Sequence, residues 1–162
     1  MHFAHAVILP GMIEDDELQN RLDGLMERYS EHNEDAVDGC WDWFVVGGRW
    51  GGSWILKDGE DGGPIATEPS TFGMRTCDRT DCGRMHTDCA RLGQLEAESL
   101  KTPYSWIEQG GTWRTKWLGR EASGSDDTKD WEIDDETWSK EWFELIQHLH
   151  EDTWMILIDC HQ

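Results

Sequence analysis

The chain has 162 residues, a mean hydropathy of −0.71 and a formal net charge of −20. Its length suits one domain with a single hydrophobic core, and no apolar run approaches the length of a membrane span. So acidic a surface repels nucleic-acid backbones and argues against direct binding of DNA or RNA. The first residues lack a basic segment followed by a long apolar one, so we expect no signal peptide, a cytoplasmic location and reduced cysteines.

The negative charge is confined to the two ends of the chain. Residues 1–48 carry a net charge of −9 and residues 121–162 one of −11, whereas residues 49–120 are neutral. The acidic ends fit two interpretations, namely solvated faces of surface helices or a surface that binds a basic protein partner. The neutral middle holds most of the cations and is the better place to look for an anion site.

The N-terminal segment predicts a strand followed by an amphipathic helix. Residues Phe3–Leu9 are mostly apolar and end at Pro10-Gly11, a pair typical of turns. Asp15 or Asp16 is expected to cap the helix. Its buried face has apolar residues at helical spacing: Leu18, Leu22, Leu25, Met26 and Tyr29.

Two hairpins rich in tryptophan and glycine are predicted in the middle of the chain. Trp43–Val46 and Ser53–Leu56 have strand-like composition and flank the turn sequence Gly-Gly-Arg-Trp-Gly-Gly. Residues 103–107 and 112–118 flank Gly110-Gly111 in the same way. Between the hairpins, residues 57–100 are expected to form an irregular, cysteine-rich insertion.

The C-terminal segment mirrors the N-terminal one, with a helix before a strand. Asp134 or Asp135 is expected to cap a helix whose buried face is Trp138, Trp142, Leu145, Ile146 and Leu149. The apolar strand Trp154–Ile158 follows. The whole pattern predicts one α+β domain over residues 1–162, with the terminal strands adjacent in a sheet, two amphipathic helices packed on one face, and Trp/Gly-rich hairpins.

The segment Trp41–Trp54 is the best candidate for a site, because it concentrates four tryptophans, four glycines and one arginine in fourteen residues. Backbone N–H groups and a guanidinium can hold a phosphate or carboxylate, and tryptophan can stack on a base. We therefore expect a pocket for a small anionic ligand. Its residues would be Trp43, Gly47, Gly48, Arg49, Trp50, Gly51, Trp113 and Arg114. The alternative is a tight hairpin in which Arg49 pairs with Asp42 and the tryptophans alternate into the core.

A second candidate site lies in the predicted insertion. Cys77, Cys82, His86 and Cys89 supply three thiolates and an imidazole within thirteen residues, which is the ligand set of a structural zinc site. Their spacing matches no standard zinc motif, so the alternative is a polar loop with incidental cysteines.

Motifs over most of the chain resemble those of a family of small proteins of phages and actinobacteria. They are Trp41–Trp43, the Gly-Gly-Arg-Trp-Gly-Gly turn, Gly111–Trp113 and the C-terminal Asp159–His161. The resemblance implies a compact α+β protein that acts in the host cytoplasm and interferes with a host process such as immune signalling. It assigns no catalytic residue. Members often have a paired tryptophan where this chain has Lys116-Trp117.

These observations favour a non-enzymatic phage protein that counters host defence by sequestering a nucleotide-like signal, with a homodimer as one way to complete the pocket. A rival is an acidic inhibitor that mimics DNA charge toward a basic host protein, through Asp126, Asp127, Asp130, Glu132, Asp134, Asp135 and Glu136. A third hypothesis is a small metal-dependent hydrolase that uses His5, Cys160 and His161. Cys160 and His161 are adjacent on a predicted strand, so they point to opposite faces and form no dyad with each other.

Overall fold

The computed structural model describes residues 2–35, 41–65, 85–118 and 131–161. The helices are α1 (Leu18–Glu27) and α2 (Asp135–His148). The strands are β1 (His2–Leu9), β2 (Trp43–Val46), β3 (Trp54–Ile55), β4 (His86–Thr87), β5 (Cys89–Arg91), β6 (Ser105–Ile107), β7 (Trp113–Thr115), β8 (Trp117–Leu118), β9 (Trp131–Glu132) and β10 (Trp154–His161). This arrangement confirms the α+β class. Neither helix is long and apolar enough to cross a membrane, among the residues described.

The first and last strands form the centre of the main sheet. β1 and β10 pair antiparallel through eight residue pairs, from His2 opposite His161 to Leu9 opposite Trp154. The strand order is β2-β10-β1-β6-β7, and β5 also pairs with β10. β6 lies parallel to β1, so the sheet is mixed. The predicted adjacency of the terminal strands is confirmed.

The two helices cover opposite faces of this sheet, so the prediction that both pack on one face is wrong. Val7 and Ile156 belong to the core cluster that contains Leu22 of α1. Their neighbours in the strands, such as Ile8, belong to a second cluster that contains Trp142 of α2. Because successive strand residues point to opposite faces, one face is the α1 side and the other the α2 side.

The error has a physical cause. The apolar spacing of a helix shows which of its own faces is buried, but not which face of the sheet receives it. The strands themselves carried the missing information, because every residue from Ala6 to Leu9 and from Trp154 to Ile158 is buried. Continuous burial is typical of strands that are covered on both sides.

Only one of the two predicted hairpins exists. β6 and β7 pair antiparallel across Gly110-Gly111, as expected. β2 and β3 do not pair with each other, since β2 joins β10 at the edge of the main sheet and β3 joins β4. The glycine-rich turn thus carries the chain from one sheet to another.

Helix α2 begins as predicted, with the side chain of Asp134 accepting a hydrogen bond from the Thr137 amide at 2.9 Å. Helix α1 begins later than expected, at Leu18. Glu17 precedes it and makes no side-chain cap. Asp15 and Asp16 therefore lie before the helix rather than at its cap.

His5 is fully buried on the α1 side of β1. Its Nδ1 lies 2.5 Å from Oγ of Ser105, and its ring stacks on Trp113 with the centroids 4.1 Å apart. Burial lowers the pKa of His5 from 6.5 to about 3. The folded protein therefore holds a neutral imidazole at a pH where the unfolded chain takes up a proton.

Stability should decline as the pH falls below 6.5, in part because of His5. Between pH 6.5 and 3 the unfolded chain binds a proton at this residue that the folded protein does not. This residue alone should lower the free energy of unfolding by up to about 1.4 kcal/mol per pH unit in that window. Urea unfolding at pH 7, 6 and 5 measures the slope. His5→Asn should be less stable at pH 7 but show a shallower slope. Equal slopes in the two proteins would contradict the assignment.

The two-sided core predicts which core substitutions are energetically independent. Leu22→Val should cost about 1 kcal/mol and Trp142→Phe about 2 kcal/mol, from lost packing and, for Trp142, a lost bond to the Leu100 carbonyl. Because they lie on opposite sides of the sheet, the double variant should equal the sum within about 0.5 kcal/mol. Trp106→Phe with Trp142→Phe is the matched control, since those rings are 5.4 Å apart and their effects should couple. Denaturant unfolding of the wild type, the three single variants and the two double variants measures both coupling energies.

Candidate functional site

One end of the α2 side brings together polar side chains from the first strand, the last strand and the glycine-rich segment. His2 lies opposite His161 in the β1–β10 ladder, and His161 lies opposite Trp43 in the β10–β2 ladder. Asp159 is two residues before His161, so it points to the same face. We call this group the histidine corner: His2, Asp42, Trp43, Arg49, Asp159 and His161.

The buried carboxylate of Asp159 connects two parts of the corner. Its Oδ1 lies 3.0 Å from Nδ1 of His2, and its Oδ2 accepts a hydrogen bond from the Arg49 amide at 3.1 Å. Asp159 is 2% exposed and the His2 side chain 12%. A buried carboxylate is tolerated only when such donors surround it. Asp159 therefore fixes both the first strand and the glycine-rich turn.

The second carboxylate of the corner, Asp42, holds the other imidazole. Nδ1 of His161 lies 2.8 and 2.9 Å from the two carboxylate oxygens of Asp42. Desolvation raises the pKa of Asp42, but the hydrogen bond and the charge of His161 outweigh it and leave the pKa below its ordinary value. Asp42 therefore stays ionised to a lower pH than an ordinary carboxyl group.

The two imidazoles and the Trp43 indole form a compact aromatic group. The imidazole centroids lie 5.0 Å apart with an interplanar angle of 67°. Trp43 stacks parallel to His161 at 5.5 Å and meets His2 edge-on at 5.1 Å. The indole thus restricts the orientation of both rings.

The turn after β2 requires glycine. Gly47 and Gly48 have φ angles of +75° and +50°, which residues with a side chain rarely adopt. A Cβ on Gly48 would also lie 2.5 Å from Cβ of Asp159. At the other end of the turn, the buried carboxylate of Asp88 accepts a hydrogen bond from the Gly52 amide at 2.6 Å. Two buried carboxylates thus hold the turn from both ends.

The hydrogen bonds of the corner determine which ring nitrogens can react. A carboxylate only accepts hydrogen bonds, so the Nδ1 atoms of His2 and His161 carry hydrogen. Nε2 of each ring is then the atom that can bind a ligand or exchange a proton. The corner thus offers two imidazoles beside a turn that carries an arginine, and these residue types bind anions.

The structure brings together only part of the predicted ligand set. Trp43 stacks on His161, and the turn Gly47-Gly48-Arg49 reaches the corner through the Arg49 amide and the close approach of Gly48 to Asp159. Trp50 follows this turn with 39% of its surface exposed. Gly51 lies nearer to Asp88, since a Cβ there would be 3.7 Å from Oδ2 of that residue.

Trp113 and Arg114 lie elsewhere, on β7 at the opposite edge of the sheet. Strands β10, β1 and β6 stand between them and β2. Trp113 stacks on His5 on the α1 side, and Arg114 forms a 2.7 Å ion pair with Glu141 of α2. The two tryptophan-rich segments therefore do not share one pocket.

The alternative interpretation of the segment, as core, describes two of its tryptophans. Trp41 and Trp54 are 9% and 2% exposed and belong to the two core clusters. The Asp42 carboxylate lies against Nδ1 of His161, and its predicted pairing with Arg49 stays a prediction.

The predicted zinc ligands fall partly outside the described residues, where Cys77 and Cys82 lie. His86 has its Nδ1 2.8 Å from the Gly52 carbonyl oxygen. Cys89 is buried, and desolvation raises the pKa of its thiol to about 12. Within the described ranges no group of three or more His, Cys, Asp or Glu side chains is placed to hold a metal. A structural zinc site remains a prediction.

The residues of the predicted hydrolase do not converge. His5 and Cys160 point to the α1 side and His161 to the α2 side, because they alternate along paired strands. Cys160 is buried. His161 is the last residue of β10, where it pairs with His2 and Trp43 and bonds to Asp42.

Of the acidic run predicted to mimic DNA, only part is described. Asp126, Asp127 and Asp130 lie outside the described residues. Asp134 caps α2 and Asp135 pairs with Lys116 at 2.6 Å.

The pairing of His2 with His161, which is the basis of this site, is absent from the sequence-based predictions. The signal that would have revealed it is the register of the terminal strands, since an antiparallel ladder with Leu9 opposite Trp154 places these two histidines opposite each other.

Comparison of the chain with protein-family models, with curated proteins and with solved structures gives no match.

Proposed function

We propose that this protein binds a small anionic ligand that carries a flat ring, such as a nucleotide, at the histidine corner. The observation that carries the proposal is the pair of imidazoles, each oriented by its own carboxylate, beside the turn that contains Arg49. Two oriented Nε2 atoms and a guanidinium are groups that hold phosphate.

The local charge supports an anionic ligand despite the acidity of the whole chain. Asp42 and Asp159 are each engaged by an imidazole of the corner. Because each carboxylate already faces an imidazole Nδ1, neither is an uncompensated charge that would repel an anion near Arg49.

The aromatic residues support a ligand with a ring. The Trp43 indole packs against both imidazoles. Trp50 is 39% exposed and directly follows Arg49 in the chain. An exposed indole next to a cation suits a base that stacks while its phosphate is held.

The biological setting of the proposal comes from the family resemblance. A phage protein that captures a nucleotide in the host cytoplasm would deprive a defence pathway of its signal. Capture without turnover is sufficient for that role, and a homodimer is one way to complete the pocket.

Arg49 should be the residue on which binding depends most. Calorimetric titration with cyclic dinucleotides, ADP-ribose and inorganic phosphate measures the dissociation constant. Arg49→Ala should weaken binding about tenfold or more, because a charge-assisted hydrogen bond to the ligand is lost. Arg114→Ala is the matched control, since this arginine lies at the far edge of the sheet and should leave the affinity within about twofold. Equal effects of the two variants, or no binding by any compound, would refute the proposal.

Trp50 should distinguish nucleotides from bare phosphate. Trp50→Ala should weaken nucleotide binding about tenfold through lost stacking and leave phosphate binding unchanged. Phe143→Ala, at an equally exposed aromatic residue of α2, is the control for a general loss of surface hydrophobicity. A parallel loss for nucleotide and phosphate would show that the indole is not the stacking surface.

A further inference from the structure

We propose that the histidine corner also cleaves a phosphodiester next to a ribose 2′-hydroxyl, with His2 and His161 transferring the protons. The inference rests on the proposed binding of a nucleotide at this corner and adds a reaction to it. It is carried by the juxtaposition of two imidazoles that are each held at Nδ1 by a separate carboxylate.

Both imidazoles are held in fixed orientations. Asp159 and Asp42 fix the hydrogen on Nδ1 of the two rings, so proton exchange takes place at Nε2. Trp43 contacts both rings and restricts their rotation. General acid–base catalysis needs groups that are held in this way, because proton transfer depends on short, aligned contacts.

The two imidazoles lie close enough to each other to divide the roles of acid and base. Ring centroids only 5.0 Å apart allow both imidazoles to contact oxygens of the same phosphate group. The reaction uses one imidazole as the base and the other as the acid, and two rings within reach of one phosphate group can fill both roles.

The reaction balances without any further reactant. The neutral imidazole takes the proton of the 2′-hydroxyl while its oxygen forms a bond to phosphorus. The bond between phosphorus and the 5′-oxygen breaks, and the imidazolium gives its proton to that oxygen. The products are a 2′,3′-cyclic phosphate and a 5′-hydroxyl, and exchange with solvent protons restores the two rings.

The substrate class follows from the nucleophile. An internal hydroxyl is already positioned beside phosphorus, which provides a large effective concentration. A proton-transferring side chain contributes roughly a hundredfold to ten-thousandfold. The chain's net charge of −20 disfavours long polyanions, so we expect small ribonucleotides rather than RNA.

The experiment uses the full chain and the dinucleotide adenylyl-(3′→5′)-adenosine, with its deoxy analogue as the matched probe that lacks the 2′-hydroxyl. Phosphorus NMR should detect the cyclic phosphate from the ribonucleotide and no product from the deoxy analogue. His161→Asn and His2→Asn should each lower the cleavage rate about a hundredfold or more. Affinity for the deoxy analogue should change much less. His148→Asn, at an exposed histidine of α2, should cleave at the wild-type rate.

A second substrate keeps the test decisive if these variants are less stable. With sulfur in place of the 5′-oxygen, the leaving thiolate needs no proton, so one of the two variants should regain most of its rate and the other should not. Rescue of both or of neither would overturn the assignment of one acid and one base.

Binding without cleavage would refute the catalytic inference and leave the proposed binding function intact, whereas absence of nucleotide binding would remove both. Equal cleavage by His161→Asn and wild type would identify a contaminating nuclease and likewise refute the inference.

Discussion

The antiparallel pairing of the first and last strands is the constraint on which the rest of the structure depends. Its eight residue pairs place β1 and β10 at the centre of the sheet, with β2 and β5 added to β10 and β6 added to β1. Because side chains alternate along both strands, this one register decides which residues meet α1 and which meet α2. A shift of one strand by one residue would reverse its two faces, so that His2 and Asp159 would lie on opposite sides of the sheet.

The histidine corner is the polar end of the same ladder. Towards Leu9 and Trp154 the paired residues are apolar and buried by both helices, whereas at the other end they are His2, Asp159 and His161. The glycine-rich turn is positioned by this end, because Asp159 accepts from the Arg49 amide and leaves no space for a side chain at Gly48. The register of β1 and β10 thus determines both how the core packs and which residues form the histidine corner.

The sequence was informative wherever a local pattern determines the structure. The Asp134 cap, the helical spacing in α2, the hairpin at Gly110-Gly111 and the apolar terminal strands were all predictable, because each depends on neighbouring residues. The first tryptophan-rich segment was misassigned as a hairpin for the same reason. Its two strands have the right composition and separation, yet their partners, β10 and β4, are remote in sequence.

By itself, the sequence determined the α+β class and the adjacency of the terminal strands, and it identified the segment that contains Arg49 as the candidate site. These follow from periodicity, from glycine and tryptophan composition, and from the distribution of charge. Only the tertiary structure decided that the helices lie on opposite faces, that Trp113 and Arg49 are separated by the width of the sheet, and that His2 and His161 are neighbours. The physical reason is that His2 and His161 are 159 positions apart in the chain. Their pairing depends on how both faces of the sheet pack against the rest of the protein, and no local sequence pattern contains that information.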